Sequence, residues 1–160
     1  MFGFTPKRRG ECSQALKVAK YFLSKVDEDA GDGISNLKLQ KLVYYAQAYN
    51  LAMYDEPLFP EQVEAWEHGP VVPDLYRHYK GSGSGNIPPP VDFNPEDYDE
   101  RSAELMDEVY EVFGQYSAWK LRNLTHAERP WAEAYQDGTE RGRVIPVGAM
   151  REFYKDFVTE

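Results

Sequence analysis

The chain has 160 residues, 42% of them hydrophobic, with 12 tyrosines, 8 phenylalanines and a formal net charge of −9. That length fits one domain and buries roughly 68–70% of the extended surface, enough for a core without staples. The aromatic content excludes general disorder, and the acidic surplus disfavours long tracking of a phosphate backbone. Cys12 is the only cysteine, which excludes an internal disulfide and a cysteine-ligated zinc site. No basic leader followed by an apolar run opens the sequence. No stretch approaches the ~18 apolar residues of a membrane span. The expectation is a soluble, cytoplasmic protein, with a tail over 1–12 and one domain over 13–160.

Ser13 is placed to cap a first helix reaching about residue 27, with Ala15, Val18, Ala19, Phe22 and Val26 on one face. The acidic, glycine-rich run at 27–33 breaks it and lacks the ligand pattern of a calcium loop. Ser35 caps a second helix. Leu39, Leu42, Val43, Ala46 and Tyr49 form its inner face, and Lys38 and Lys41 fall on or near the wet side. Leu58 and Phe59 precede a turn or short helix at 60–64, and 65–67 reads as a short extended piece. Gly69-Pro70 punctuates the chain, because a residue before proline avoids the helical region. Pro73 suits the first turn of the next helix, with Leu75, Tyr76 and Tyr79 as packing residues.

The 81–99 stretch, with its GSGSG and Asn-Ile-Pro-Pro-Pro runs, reads as an exposed or mobile loop. A helix follows over 102–113, with Leu105, Met106, Val109, Tyr110 and Phe113 inward. Ser117 caps a short helix at 118–124. Pro130 opens a segment with Trp131, Ala134 and Tyr135. The last helix, 147–158, puts Met150, Tyr154, Phe157 and Val158 on its apolar side. The fold class is therefore mainly α: a single compact helical domain with at most a short β element near 65–67 and 143–146. Phe22, Leu42, Ala46, Trp66, Val109 and Leu121 are the expected core positions.

Catalytic chemistry is hard to find. His68, His78 and His126 lack the spacing that puts two metal ligands on one helical face. The serines at 82 and 84 sit in a flexible run, with no strained elbow after a strand, and no phosphate loop is present. Cys12 reads as an ordinary residue at a helix start. Glu64, Glu67 and Asp74 are explained as a solvated acidic face. No catalytic residue, cofactor or metal is expected, and the chain is read as a binding protein. Trp66, just before the Gly69-Pro70 turn, is open to two readings: an anchor under a rigid turn, or one wall of a partner groove. Trp131, beside Pro130, is open to the same two.

Four pieces then point one way: Leu39-Gln40-Lys41-Leu42-Val43-Tyr44-Tyr45-Ala46-Gln47, Pro57-Leu58-Phe59, the run from Glu64 to Pro73 with Leu75-Tyr76, and Leu124-Thr125-His126 with Pro130-Trp131. In this combination and order the sequence resembles the Panacea domain family, found in phage-associated proteins and in antitoxins of bacterial toxin–antitoxin systems. The family pattern often reads Tyr-Gly-Pro where this chain has Glu67-His68-Gly69-Pro70, a mild departure. The resemblance implies a helical antitoxin that neutralises a cognate toxin protein by direct binding. In one branch it implies delivery of the toxin to an ATP-dependent protease. The alternatives are a phage or prophage protein that binds a host factor, and a transcription-associated regulator. Neither a membrane nor direct nucleic-acid binding is expected. The partner face is expected at Trp66, Glu67, His68, Asp74, Tyr76, His126 and Trp131, where rigid aromatics meet an acidic rim suited to a basic partner.

Overall fold

A computed structural model of the chain describes residues 13–158. The expected tail over 1–12 and Cys12 lie outside the described residues. In chain order the elements are α1 (Gln14–Ser24), α2 (Asn36–Tyr54), β1 (Glu64–Trp66), β2 (Gly69–Val71), α3 (Pro73–Tyr79), α4 (Glu100–Phe113), α5 (Ala118–His126), α6 (Arg129–Tyr135), β3 (Arg143–Val144) and α7 (Val147–Lys155). The fold is mainly helical, as the sequence periodicity predicts.

Side-chain caps set most of the helix starts. The Ser13, Ser35 and Ser117 side chains accept hydrogen bonds from the backbone N–H groups of Leu16, Lys38 and Lys120, each satisfying a donor that a helix start leaves orphaned. Asp99 does the same for Ser102, so α4 begins two residues before the expected start. The first helix stops at Ser24 rather than near 27. There the Asp27 side chain accepts from Ala30 N and opens a separate 3-10 turn, Glu28–Ala30, an alternative that Asp offers the backbone.

Helix α2 is the axis of the domain. It packs against α1, α3, α4, α5, α7 and β2. Every residue from Leu39 to Ala48 is buried. This corrects the one-sided reading of the helix: Lys41 is fully buried, and only Lys38 keeps some exposure, donating to Gly114 O at 2.6 Å. The reason is that elements wrap α2 on every side, so no wet face remains near Lys41. Phe22, Leu42, Ala46, Val109 and Leu121 are buried core residues as expected, whereas Trp66 is only partly buried. Leu42→Ala should lower stability by about 3 kcal/mol, the middle of the usual range for such a cavity. Denaturant unfolding measures it, and an unchanged midpoint would contradict this packing.

Tyrosine and one carboxylate close the core between α2, α6 and α7. Tyr45 and Tyr154 both donate to Glu128 Oε1, at 2.9 and 2.8 Å, and the Tyr44 and Tyr154 hydroxyls share a 3.0 Å hydrogen bond. Burial raises the Glu128 carboxyl above its ordinary range against the pull of these donors, and it raises the three phenols as well.

The three short strands form one antiparallel sheet in the order β2-β1-β3. Its register pairs Glu64 with Val71, Ala65 with Pro70 and Trp66 with Gly69, and on the other side Glu64 with Val144 and Ala65 with Arg143. Residues 60–63 bend without forming a helix and Glu64 enters the strand. The 81–99 excursion is exposed along 83–86, as expected, but pinned beyond it. Ile87 is buried, and its N–H donates to Ile34 O at 2.8 Å, whereas Val91 is fully exposed. Asp92 pairs with Lys20 at 2.9 Å, and Phe93 and Tyr98 pack edge-on against Tyr21. Phe157, expected inward, lies beyond the end of α7 and is 58% exposed.

Candidate partner-binding face

The β1–β2 hairpin carries the face. The Trp66–Gly69 pair closes a two-residue loop of Glu67 and His68, so these two side chains stand at the hairpin tip and are exposed. Gly69 has φ +110, and a Cβ there would lie 2.5 Å from Lys41 Cε and 3.0 Å from Thr125 Oγ1. Only glycine gives both that backbone conformation and that clearance. Pro70 sits on the edge strand β2, where its missing N–H costs no ladder bond.

Polar side chains of α2 hold this hairpin and its flanks by their main-chain groups. Gln47 Oε1 accepts from Leu58 N and Phe59 N, and Gln47 Nε2 donates to Phe59 O. Asn50 donates to Glu56 O. Gln40 Oε1 accepts from Val72 N, Gln40 Nε2 donates to Asn36 Oδ1, and Asn36 donates to Tyr76 O. Lys41 Nζ donates to Pro70 O at 3.2 Å. Burial pushes the Lys41 ammonium down to about 7, and repulsion from Arg122 adds to the effect. A buried amine in that state suits a single carbonyl acceptor better than an ion pair.

Trp66 is held from three directions. Its ring meets Tyr76 edge-on at 5.1 Å, its Nε1 donates to Glu64 Oε1 at 3.0 Å, and its carbonyl accepts from Trp131 Nε1 at 2.8 Å. Trp131 is itself sandwiched, stacked on His126 at 3.8 Å and on Tyr135 at 4.6 Å. Burial lowers the His126 imidazole below its ordinary value, and Arg122 adds to the lowering, while a hydrogen bond with the Glu67 backbone opposes it. Two depressions flank Trp66. One, of about 590 Å³, is lined by Asn36, Gln40, Trp66, Glu67, His68 and Tyr76 among others. The second, of about 580 Å³, is lined by Glu64, Trp66, Glu67, Tyr135 and Arg141 among others.

The structure therefore brings Trp66, Glu67, His68 and Tyr76 to one groove. His126 and Trp131 lie behind Trp66 as its support. Asp74 stands apart on the first turn of α3, paired with Arg77 at 2.8 Å. Trp66 is braced by the fold and also lines open space. Two neighbours escaped the sequence reading. Arg122 donates to His68 Nδ1 at 3.1 Å, and its guanidinium lies 4.3 Å from the ring centre of Trp119, which is 54% exposed. The i, i+3 spacing puts Trp119 and Arg122 on one helix face but does not point to His68. The three histidines do not form a metal site. His78 packs on Tyr79, and among the described residues no cluster of three or more His, Cys, Asp or Glu could hold an ion. Among the same residues no helix is long and apolar enough to cross a membrane.

Over 50 residues the chain is 46% identical to antitoxin SocA of Caulobacter vibrioides (strain NA1000 / CB15N), covering 31% of this chain and 27% of that relative. The match thus spans about a quarter of the curated relative's length. No solved structure matches. Residues 39–132, well over half of the chain, match the family model described as antitoxin SocA-like, Panacea domain. That span runs from the polar clamps of α2 through the hairpin to Trp131, and the chain belongs to the SocA-like Panacea domain family.

Proposed function

We propose that the chain is an antitoxin, acting as one helical domain over 13–160, that neutralises a cognate toxin protein by direct binding. The docking face is the hairpin surface of Trp66, Glu67 and His68 with Tyr76 of α3, backed by His126 and Trp131, and Asp74, apart on the first turn of α3, adds a negative charge beside it. The observation that carries this is the braced but partly exposed Trp66 between two depressions, in a chain of this family. A fixed aromatic loses little entropy on docking. Occlusion is the mechanism: the toxin surface covered by this face loses access to its target. Delivery of the bound toxin to an ATP-dependent protease would add a second step, and it rests on the family alone.

Co-expression with the neighbouring reading frame tests the proposal, scored by growth rescue and co-purification. Toxin that stays abundant while growth is rescued supports occlusion, and toxin that disappears unless the protease is deleted supports delivery. The double variant Glu67→Lys with Asp74→Lys should remain folded, because both side chains are exposed. It should associate with the toxin several-fold more slowly and with a weaker salt dependence. Unchanged rate and salt dependence would place the interface elsewhere.

A further inference from the structure

A second surface, remote in sequence from the hairpin, has the pattern of a helix receptor. An open groove of about 410 Å³ runs between the end of α2, α4 and the chain after α7. Its floor includes Tyr49, Leu105, Val109 and Phe113. Phe113 is fixed by face-to-face stacking on Tyr45, with ring centres 4.0 Å apart and planes within 2°. Its walls carry Met53, Val112 and Phe157, which are 39%, 48% and 58% exposed.

Charge identifies the occupant. Leu105, Val109 and Val112 form an apolar stripe along α4, and Glu104, Glu108 and Glu111 form an acidic stripe one residue over. A second depression, lined by Met53, Leu105, Glu104, Glu108 and Glu111 among others, continues the groove. Like charges at this spacing repel one another, and among the described residues none of the three glutamates has an ion-pair partner. Nearby Asp107, by contrast, is neutralised by Lys25 at 2.6 Å. We propose that this groove binds an amphipathic helix of a partner protein, with apolar side chains at i, i+4 and i+7 and lysines or arginines one residue over. The seven-residue span of the stripes covers about 10 Å, two turns of such a helix. This surface is independent of the hairpin reading and does not need it.

The test uses the full chain and a labelled 14-residue peptide with leucines at i, i+4, i+7 and i+11 and lysines one position over. Controls have the same composition in scrambled order, and glutamate in place of lysine. Fluorescence anisotropy should show the patterned peptide binding at least about tenfold more tightly than either control, and more weakly as salt rises. Hydrogen exchange should slow at 104–113 and 153–158 on binding. Two variants, E104K/E108K/E111K and V112S/F157S, should each weaken binding roughly tenfold or more while the far-UV circular dichroism spectrum stays that of the native chain. The Glu67/Asp74 charge reversal should leave peptide binding intact, which separates this surface from the toxin-docking face. Equal binding of the scrambled peptide, or protection mapping outside the groove, would overturn the proposal. So would self-association that V112S/F157S abolishes, since a second copy would then be the occupant.

Discussion

Replacing Lys41 with methionine is expected to remove a rise in stability that the native protein shows between about pH 7 and pH 10.5. The amine is held at about 7 in the folded state against 10.5 for the free group. Below pH 7 both states bind the proton, and the folded state bears the full cost of a buried charge. Between the two values the unfolded chain keeps the proton and the folded chain does not. Stability therefore climbs with pH, by up to about 1.4 kcal/mol per unit. Above 10.5 both states are neutral and the effect ends. The whole window is worth on the order of 5 kcal/mol. Urea unfolding of both proteins at about pH 6.5, 8 and 9.5 measures the difference directly. The methionine variant should be the more stable at the low end, where it removes a buried charge, and should lose that advantage as pH rises. The lost hydrogen bond to Pro70 O shifts all points together and does not mimic the slope. A pH-independent difference between the two proteins would show that Lys41 titrates normally.

Gly69→Ala is the second large effect. Its φ of +110 lies where side-chain-bearing residues are strained, and the new methyl would meet Lys41 Cε at 2.5 Å. Strain of this kind costs about 1–3 kcal/mol. The steric conflict adds a similar amount, since the buried lysine stem must shift against its packing and its hydrogen bond to Pro70 O. Together they predict a loss of roughly 2–6 kcal/mol, read as an earlier denaturant midpoint. Displacement of Lys41 should also disturb the Glu67–His68 tip. A variant that unfolds at the native midpoint would show that the hairpin is loosely seated on α2.

Helical periodicity and serine caps made most of the fold legible from the chain. They located the helices, and Gly69-Pro70 located the turn. The failures share one cause. Amphipathic reasoning assigns each helix a dry and a wet side, so it places Lys41 outward and gives the glutamines no role. Helix α2 has no wet side near them. Polar residues embedded in an otherwise apolar helix were the signal, because a buried polar side chain must find a partner. Trp66 was misplaced in the opposite direction, since its size suggested burial while its strand leaves one face open. Phe157 followed the helical spacing but lies past the end of α7. Within the site, the aromatic cluster was legible from local motifs. Trp119 and Arg122 were not, because their approach to His68 depends on the packing of α5 against β2.

The grip of α2 on the hairpin segment has a consequence for how this surface can diversify. Asn36, Gln40, Lys41, Gln47 and Asn50 hold residues 56–76 through carbonyl and amide groups that any substitution other than proline leaves in place. The exposed side chains at 67, 68 and 74 are free of that duty. Descendants of this chain can therefore exchange the chemistry they display on this surface, one codon at a time, without renegotiating the architecture beneath it.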